Sequence, residues 1–316
     1  FIAGYEVRKY KDEDPVNRKA VRVVVNLYRA LAASNYPREE LEKLLVRLVF
    51  CFFADDAGIF EPDTFYYYLA LGSNEDGSDF GTRLDAVFQT LNTDIPDRQS
   101  TLDERLATLP YVNGGLFAEM LKVVFFNREM RTIALRACEF NWASVSPAIF
   151  GSMFQFVTDA HNADLRHDLG AHYTSEKNIL KVIDGLFMDD LRTELAVAGK
   201  NTTKLTALWE KVGTISLLDP ACGCGNFLVV AYRELRRLEL ELLKRLHPEA
   251  RAVEGAGQVP FNLDIRHLSK LSVERMYGIE IESFPAEIAR LSLWLTDHLM
   301  NKELGDYFGV PFVKLP

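Results

Sequence analysis

A glycine-rich turn after a short apolar run limits the folds open to this chain more than any other part of its sequence. The stretch covers residues 214–228 and reads Thr-Ile-Ser-Leu-Leu-Asp-Pro-Ala-Cys-Gly-Cys-Gly-Asn-Phe-Leu. The apolar run predicts a buried parallel strand, and a long helical pattern follows the turn. Gly223 and Gly225 allow backbone angles that side chains disfavour, so the amides of the turn can approach a ligand closely. Because the helix would also direct free N–H groups and a positive dipole end at that ligand, the pattern predicts a nucleotide-type site.

Three stretches carry a family resemblance. Asp-Pro-Ala-Cys-Gly-Cys-Gly-Asn-Phe at 219–227 resembles the cofactor motif of amino-directed DNA methyltransferases, which usually have Ser at the position of Cys224. Gly-Ala-His-Tyr-Thr at 170–174 resembles the family's upstream motif, and Tyr-Gly-Ile-Glu-Ile at 277–281 resembles its second strand. The order and approximate spacing of the three agree with the family.

This resemblance implies a Rossmann-like sheet that binds S-adenosylmethionine. It places the following residues at the cofactor: Tyr173, Thr174, Asp219, Pro220, Ala221, Cys222, Gly223, Gly225, Phe227, Glu280 and Ile281. It assigns no catalytic residue and no metal ligand to this sequence. The expected fold class is α/β, with an all-helical N-terminal domain followed by a partial Rossmann-like methyltransferase sheet.

Glu280 is expected at the end of a buried second strand, residues 276–281, where an unpaired carboxylate would be costly. In nucleotide-binding folds an acidic residue at this place accepts hydrogen bonds from ribose hydroxyls. A structural salt bridge is the alternative role. Glu282 is a rival for the ribose, but the alternation of a strand places it on the other face.

The chain divides into two predicted domains, a helical spacer at 1–162 and the N-terminal part of a methyltransferase domain at 163–316. Helices are expected to begin at Pro15 and near Pro37. Phe-Ala-Asp-Asp-Ala-Gly-Ile-Phe at 53–60 and Tyr-Val-Asn-Gly-Gly-Leu-Phe at 111–117 resemble the spacer of type IIL, MmeI-like, restriction–modification enzymes. In that family one polypeptide carries a nuclease, this spacer, an adenine methylase and a target-recognition domain.

The resemblance implies a fragment of an adenine-N6 DNA methyltransferase whose double-stranded DNA is bound mainly by regions outside this chain. The family accepts the target amine with an Asn-Pro-Pro-Tyr or Phe loop, and this sequence contains no Pro-Pro pair. The chain alone is therefore expected to be inactive. Two alternatives stay open: a nicotinamide-dependent dehydrogenase, against which Leu228 stands in place of a third glycine, and a non-catalytic interaction module with a vestigial nucleotide fold.

Composition excludes several classes. The formal net charge of −9 argues against a dedicated nucleic-acid surface within these residues, and the mixed charges at 233–241 predict a solvated helix face. Asp297 and His298 are likewise expected on a solvated face or helix end, whereas Asp55 and Asp56 could be catalytic or could cap a helix. No apolar run is long enough to span a bilayer, and the first residues are not expected to form a signal peptide. Four cysteines do not form a disulfide framework, and a cytoplasmic protein is expected.

Overall fold

The structure is a computed structural model that describes residues 15–112, 115–151, 176–248 and 269–309. Within these ranges the first part of the chain is helical: α1 (Pro15–Ala32), α2 (Arg38–Asp56), α3 (Thr64–Gly72), α4 (Phe80–Leu91), α5 (Glu104–Ala107) and α6 (Arg128–Cys138). The second part contains α7 (Glu176–Ile183), a π-helical turn (Asp184–Met188), α8 (Asp189–Ala198), α9 (Thr202–Thr214), β1 (Leu217–Asp219), α10 (Asn226–Leu246), β2 (Met276–Gly278) and α11 (Ser283–Phe308). None of the described helices is both long and apolar enough to cross a membrane.

The first hydrophobic core is built around α2, which is buried along most of its length. Phe50, Phe52 and Phe53 are all at most 2% exposed, and the apolar side of the amphipathic helix α1 contributes to the same core. Helix α11 from the far end of the chain contributes Ile288 and Leu295 to this same core. The two predicted domains therefore share a packed boundary, and their division near residue 162 stays a prediction.

The second core surrounds α10, which packs against α7, α9, α11 and both strands. Because this helix has neighbours on several sides, its polar positions are buried as well. Arg236 and Glu239 are 4% and 1% exposed, and their side chains pair at 3.3 Å. The expectation of a solvated charged face on α10 was therefore wrong for these residues. The charges satisfy one another inside the protein, as buried ionic groups must.

Strands β1 and β2 pair in parallel, which confirms the predicted direction, with Leu217 opposite Met276 and Asp219 opposite Gly278. The prediction that the strands are buried was wrong for part of each strand. Leu218 is 61% exposed and Tyr277 is 54% exposed. Alternation explains the difference, since one face of this two-stranded sheet lies on α10 while the other face is not covered by the described residues.

Two acidic side chains of the first part of the chain, Asp55 and Asp56, accept hydrogen bonds from backbone N–H groups. Asp55 accepts hydrogen bonds from the N–H groups of Phe65 and Tyr66 and so caps the start of α3, while Asp56 accepts the N–H of Trp142. The capping interpretation of this acidic pair agrees with the structure.

The solvated interpretation of Asp297 and His298 does not agree with it. Asp297 accepts hydrogen bonds from the hydroxyl of Tyr232 at 2.6 Å and from Arg236 at 2.8 Å. His298 is 2% exposed, and its Nε2 lies 3.2 Å from the carbonyl oxygen of Ala57, at the end of α2. Both side chains point into contacts between helices, because α11 is packed on two sides, by α2 and α10.

Candidate functional site

The site is a turn between the end of β1 and the start of α10. Gly223 and Gly225 both have left-handed backbone conformations, with φ of +53° and +78°. At Gly225 a Cβ would lie 2.8 Å from the Cβ of Ala289 on α11, so only glycine fits there. At Gly223 an added Cβ would have no described residue within 4 Å, apart from its two chain neighbours. One glycine of the turn therefore serves packing, and the other borders a space that the described residues leave open.

Backbone hydrogen bonds hold the turn against β2. The carbonyl of Asp219 accepts the N–H of Ile279 at 3.0 Å, and the carbonyl of Ile279 accepts the N–H of Cys222 at 3.0 Å. The carboxylate of Asp219 accepts the N–H of Ala221 at 3.1 Å. These bonds extend the pairing of the two strands into the turn, so the positions of its amides depend on β2.

Glu280 braces the turn with its carboxylate. Its Oε2 accepts the N–H of Gly223 at 2.9 Å, and its Oε1 accepts the N–H groups of Ile281 and Glu282 at 2.8 and 3.0 Å. These backbone bonds, that from Glu282 first, hold the pKa of Glu280 below its usual value, so the carboxylate is ionised at neutral pH. Glu280 is half-buried and lies beyond the end of β2 at Gly278, so the expected burial at a strand end was wrong.

The remaining capacity of this carboxylate suits a hydroxyl ligand. A carboxylate has about four acceptor positions, and three are used here by backbone N–H groups. Pro220 and Ala221 are exposed beside it, and Ile281 is 95% exposed. The first turn of α10 also has N–H groups without partners inside the helix. An acceptor, an apolar surface and the open space over Gly223 together fit a nucleoside with a polar tail.

Two predicted residues of the turn lie on its packed side. Phe227 and Cys222 pack against the second core, and a Cβ on Gly278 would lie 2.6 Å from the sulfur of Cys222. Cys224, at the position where the family has Ser, packs against the first core, and burial raises its pKa to about 12. Both thiols are therefore protonated at neutral pH, and no cluster of metal-ligating side chains occurs among the described residues.

Tyr173 and Thr174 lie outside the described residues, so their predicted contact with the cofactor stays a prediction. Gly278 and Ala289 were not predicted as site residues, although Gly278 belongs to the motif at 277–281; they contact Cys222 and Gly225 of the turn. Sequence reasoning also missed Gly151, where a Cβ would lie 2.5 Å from the carboxamide oxygen of Asn226. All three are small residues at close approaches, and their size was the available signal.

Comparison with known proteins agrees with both parts of the chain. The family model of the MmeI helicase spacer domain matches residues 39–117, and that of the MmeI DNA-methyltransferase domain matches residues 195–316. The chain is 37% identical over 310 residues to DNA methyltransferase A of Bacillus subtilis (strain 168). It is 26% identical over 301 residues to a putative type II restriction enzyme and methyltransferase of Methanocaldococcus jannaschii.

These matches cover 96% and 80% of this chain but 33% and 24% of the two relatives. Among solved structures, the type IIL restriction–modification enzyme MmeI in complex with DNA matches 96% of this chain with a TM-score of 0.81 and 46% identity. The match covers 39% of that enzyme's chain. This chain therefore spans between a quarter and two fifths of the proteins it resembles.

Proposed function

We propose that this chain, which carries the helicase spacer and DNA-methyltransferase regions of the MmeI family, is the cofactor-binding part of an adenine-N6 DNA methyltransferase in a restriction–modification system. The observation that carries the proposal is the glycine turn between β1 and α10, which an ionised Glu280 braces and which the described residues leave open on the side of Gly223. A Rossmann-like sheet is part of the same proposal, and the parallel pair β1–β2 supports it.

Different residues of the turn would contact different parts of S-adenosylmethionine, which supplies an activated methyl group when it is bound. Glu280 would accept a ribose hydroxyl with its remaining acceptor position, and the exposed Ile281 would lie against the adenine ring. The backbone from Ala221 to Gly225 would wrap the cofactor, and Asp219 would orient its methionine end, directly or through water. Tyr173 and Thr174 would meet that same end.

The acceptor of the methyl group would be an adenine of double-stranded DNA, flipped out of the helix into the site. The spacer supports adenine over other bases, since in the type IIL enzymes that it resembles it precedes an adenine methylase. Because the chain spans only part of its relatives, a nuclease and a target-recognition domain in the same polypeptide also belong to the proposal, as does a location in the cytoplasm.

The test is a calorimetric titration with S-adenosylmethionine. NAD is titrated in a separate experiment, which tests the alternative hypothesis of a dehydrogenase. Because a hydrogen bond to a charged group contributes about 1.5–3 kcal/mol, Glu280→Ala should weaken S-adenosylmethionine binding by roughly 10- to 100-fold. Glu282→Ala is the matched control, because this neighbouring carboxylate is exposed and outside the turn. Equal affinities in all three proteins would remove Glu280 from the site, and tight NAD binding would point to a dehydrogenase.

A further inference from the structure

Helix α1 carries a basic surface although the chain as a whole is acidic. Its four charged side chains, Arg18, Lys19, Arg22 and Arg29, are all basic and all exposed. The formal net charge of the chain is −9, so this helix differs in sign from the average surface. The expectation that these residues contain no nucleic-acid surface was drawn from that average, which hides a local concentration of one sign.

Three of the basic residues form one line along the helix. At 100° per residue, Arg18, Arg22 and Arg29 lie within about 40° of one another. The buried residues Ala20, Val24, Leu27 and Leu31 lie on the opposite side. At about 1.5 Å per residue the line from Arg18 to Arg29 is about 16 Å long. We call these three arginines the basic stripe.

The stability of the helix does not explain the charges of the basic stripe at Arg18 and Arg22. None of the stripe's side chains forms an ion pair or hydrogen bond with another described residue, whereas Arg38 at the start of α2 pairs with Glu42 at 2.8 Å. Like charges four residues apart, such as Arg18 and Arg22, destabilise a helix. A cation near the helix N-terminus also opposes the dipole, which applies to Arg18, whereas Arg29 lies in the last turn and complements the dipole. At Arg18 and Arg22 a solvated helix would gain from acidic residues, so these two charges indicate an external partner.

The position of the stripe favours duplex DNA as that partner. Asn17, beside Arg18, accepts the N–H of Ser146 at 3.2 Å, and Gly151, five residues further on, touches Asn226 at the start of α10. The N-terminal end of α1 therefore lies on the side of the spacer that meets the glycine turn. A DNA strand carries one phosphate per about 3.4 Å of helix axis, so a line of about 16 Å can follow several phosphates of one strand.

We propose that the basic stripe binds the phosphate backbone of double-stranded DNA and adds sequence-independent affinity from the spacer. This inference rests on the proposed function in one respect, that the protein acts on DNA. Phosphate contacts position a protein on DNA and carry no base information, so the stripe would hold the duplex while other regions select the site. The acidic remainder of the surface would disfavour DNA bound in other orientations.

The experiment compares three forms of the protein at its full natural length: wild type, R18Q/R22Q/R29Q, and the control R105Q/K200Q/K204Q. The control removes the same charge from exposed basic residues on other elements. Binding to a mixed-sequence duplex is measured by fluorescence anisotropy at several salt concentrations. Each lost phosphate contact lowers the slope of log K against log[salt] by about 0.9, so the stripe variant should lose roughly 2 to 3 from the slope. Its affinity near 0.1 M salt should fall by roughly 10- to 100-fold.

Two further readouts separate this inference from the proposed function. S-adenosylmethionine binding should be the same in all three proteins, because the stripe is exposed and apart from the turn, and a thermal unfolding scan should show all three folded at the assay temperature. A stripe variant that binds DNA like wild type, while wild type methylates DNA, would overturn the stripe alone. An equal loss in both variants would also overturn it, since total charge would then explain the result. If wild type binds no DNA, the stripe and the DNA part of the proposed function both fall.

Discussion

Gly223 and Gly225 share a left-handed backbone but face different surroundings, and substitution should separate their roles. Gly225→Ala would place a methyl group against α11 in addition to straining the backbone, so it should destabilise the protein by more than the roughly 1–2 kcal/mol of a left-handed residue. Gly223→Ala bears only the backbone strain, but its methyl group would occupy the open side of the turn. Gly223→Ala should therefore lower the affinity for S-adenosylmethionine, and it should destabilise the protein less than Gly225→Ala does.

Urea unfolding and calorimetric titration of both variants measure this difference. Equal loss of stability in the two proteins would show that the contact with Ala289 costs nothing. Unchanged cofactor affinity in a folded Gly223→Ala protein would show that the ligand does not approach the turn on that side.

Asp55 should make the stability of the spacer depend on pH. Burial raises its pKa to about 6, against the lowering effect of the N–H groups of Phe65 and Tyr66. Its folded-state pKa then exceeds the unfolded value of about 3.9, so the folded state binds more protons between about pH 4 and 6. The stabilising contribution of this group is present below about pH 4 and is lost as pH rises through about 6.

The measurement is the difference in unfolding free energy between wild type and Asp55→Asn across that range. The difference should fall as pH rises. Taking the difference removes His298, whose pKa is lowered by burial and whose contribution therefore has the opposite sign. Parallel curves for the two proteins would mean that folding leaves the pKa of Asp55 at its unfolded value.

At the scale of elements, the contact between α10 and α11 depends on a buried polar network centred on Arg236. Its guanidinium donates to Tyr232, Asp297 and Asn301 at 2.8–2.9 Å and pairs with Glu239. Arg236→Met would leave two carboxylates without their cation, and breaking a buried pair in this way costs about 3–5 kcal/mol. Chemical denaturation should show that loss.

Arg237→Met is the control on the same helix. Arg237 pairs with Glu234 at 3.0 Å but its side chain is 51% exposed, and such surface pairs contribute about 0–1 kcal/mol. If the two variants lose the same free energy of unfolding, the network at Arg236 stabilises the protein no more than a surface ion pair does.

Elements with one apolar face were predictable from sequence, and elements with several neighbours were not. The periodicity of α1 and α4 and the glycine turn after β1 follow local rules of spacing and backbone freedom. The side chains of α10 are polar at positions that the fold buries, because three helices and two strands pack around it. Burial of that kind depends on elements that are far away in the chain, so the local sequence pattern does not predict it.

The candidate site shows the same division. The types of Asp219, Gly223 and Gly225 predicted a turn that binds a nucleotide, and the structure forms the turn. The brace from Glu280 to the N–H of Gly223 joins residues 57 positions apart, so the sequence predicted an acidic residue near the turn but not its hydrogen bonds. The sequence showed Cys224 only as a substitution in the motif. Its contact with the first core became visible only in the structure.

At the scale of the whole molecule, the exposed face of the small sheet supports the larger Rossmann-like sheet proposed above. A two-stranded sheet is marginally stable by itself in water, and here Leu218, Tyr277 and Ile279 are each more than half exposed. The relatives of this chain are longer by a factor of about three. Further strands and helices of the proposed Rossmann-like sheet would cover these residues and complete the cofactor site.

It follows that this 316-residue chain should bind S-adenosylmethionine without transferring its methyl group. Transfer needs acceptors that hold the target amine in line with the methyl group, and orientation of this kind can supply about 7 kcal/mol of the barrier or more. The resembling family takes those acceptors from an Asn-Pro-Pro-Tyr or Phe loop, and no Pro-Pro pair occurs here. Asp297 and His298 do not replace them, because one is bonded to Arg236 and Tyr232 and the other to Ala57.

The measurement is tritium transfer from labelled S-adenosylmethionine to mixed-sequence duplex DNA, by this chain and by a form extended as its relatives are extended. The extended form should transfer the label and this chain should not, although calorimetry finds the cofactor bound to both. Transfer by this chain alone would show that its own residues hold the target amine. Each candidate acceptor could then be located by alanine substitution, beginning with Asp219, whose carboxylate lies at the end of β1 beside the turn.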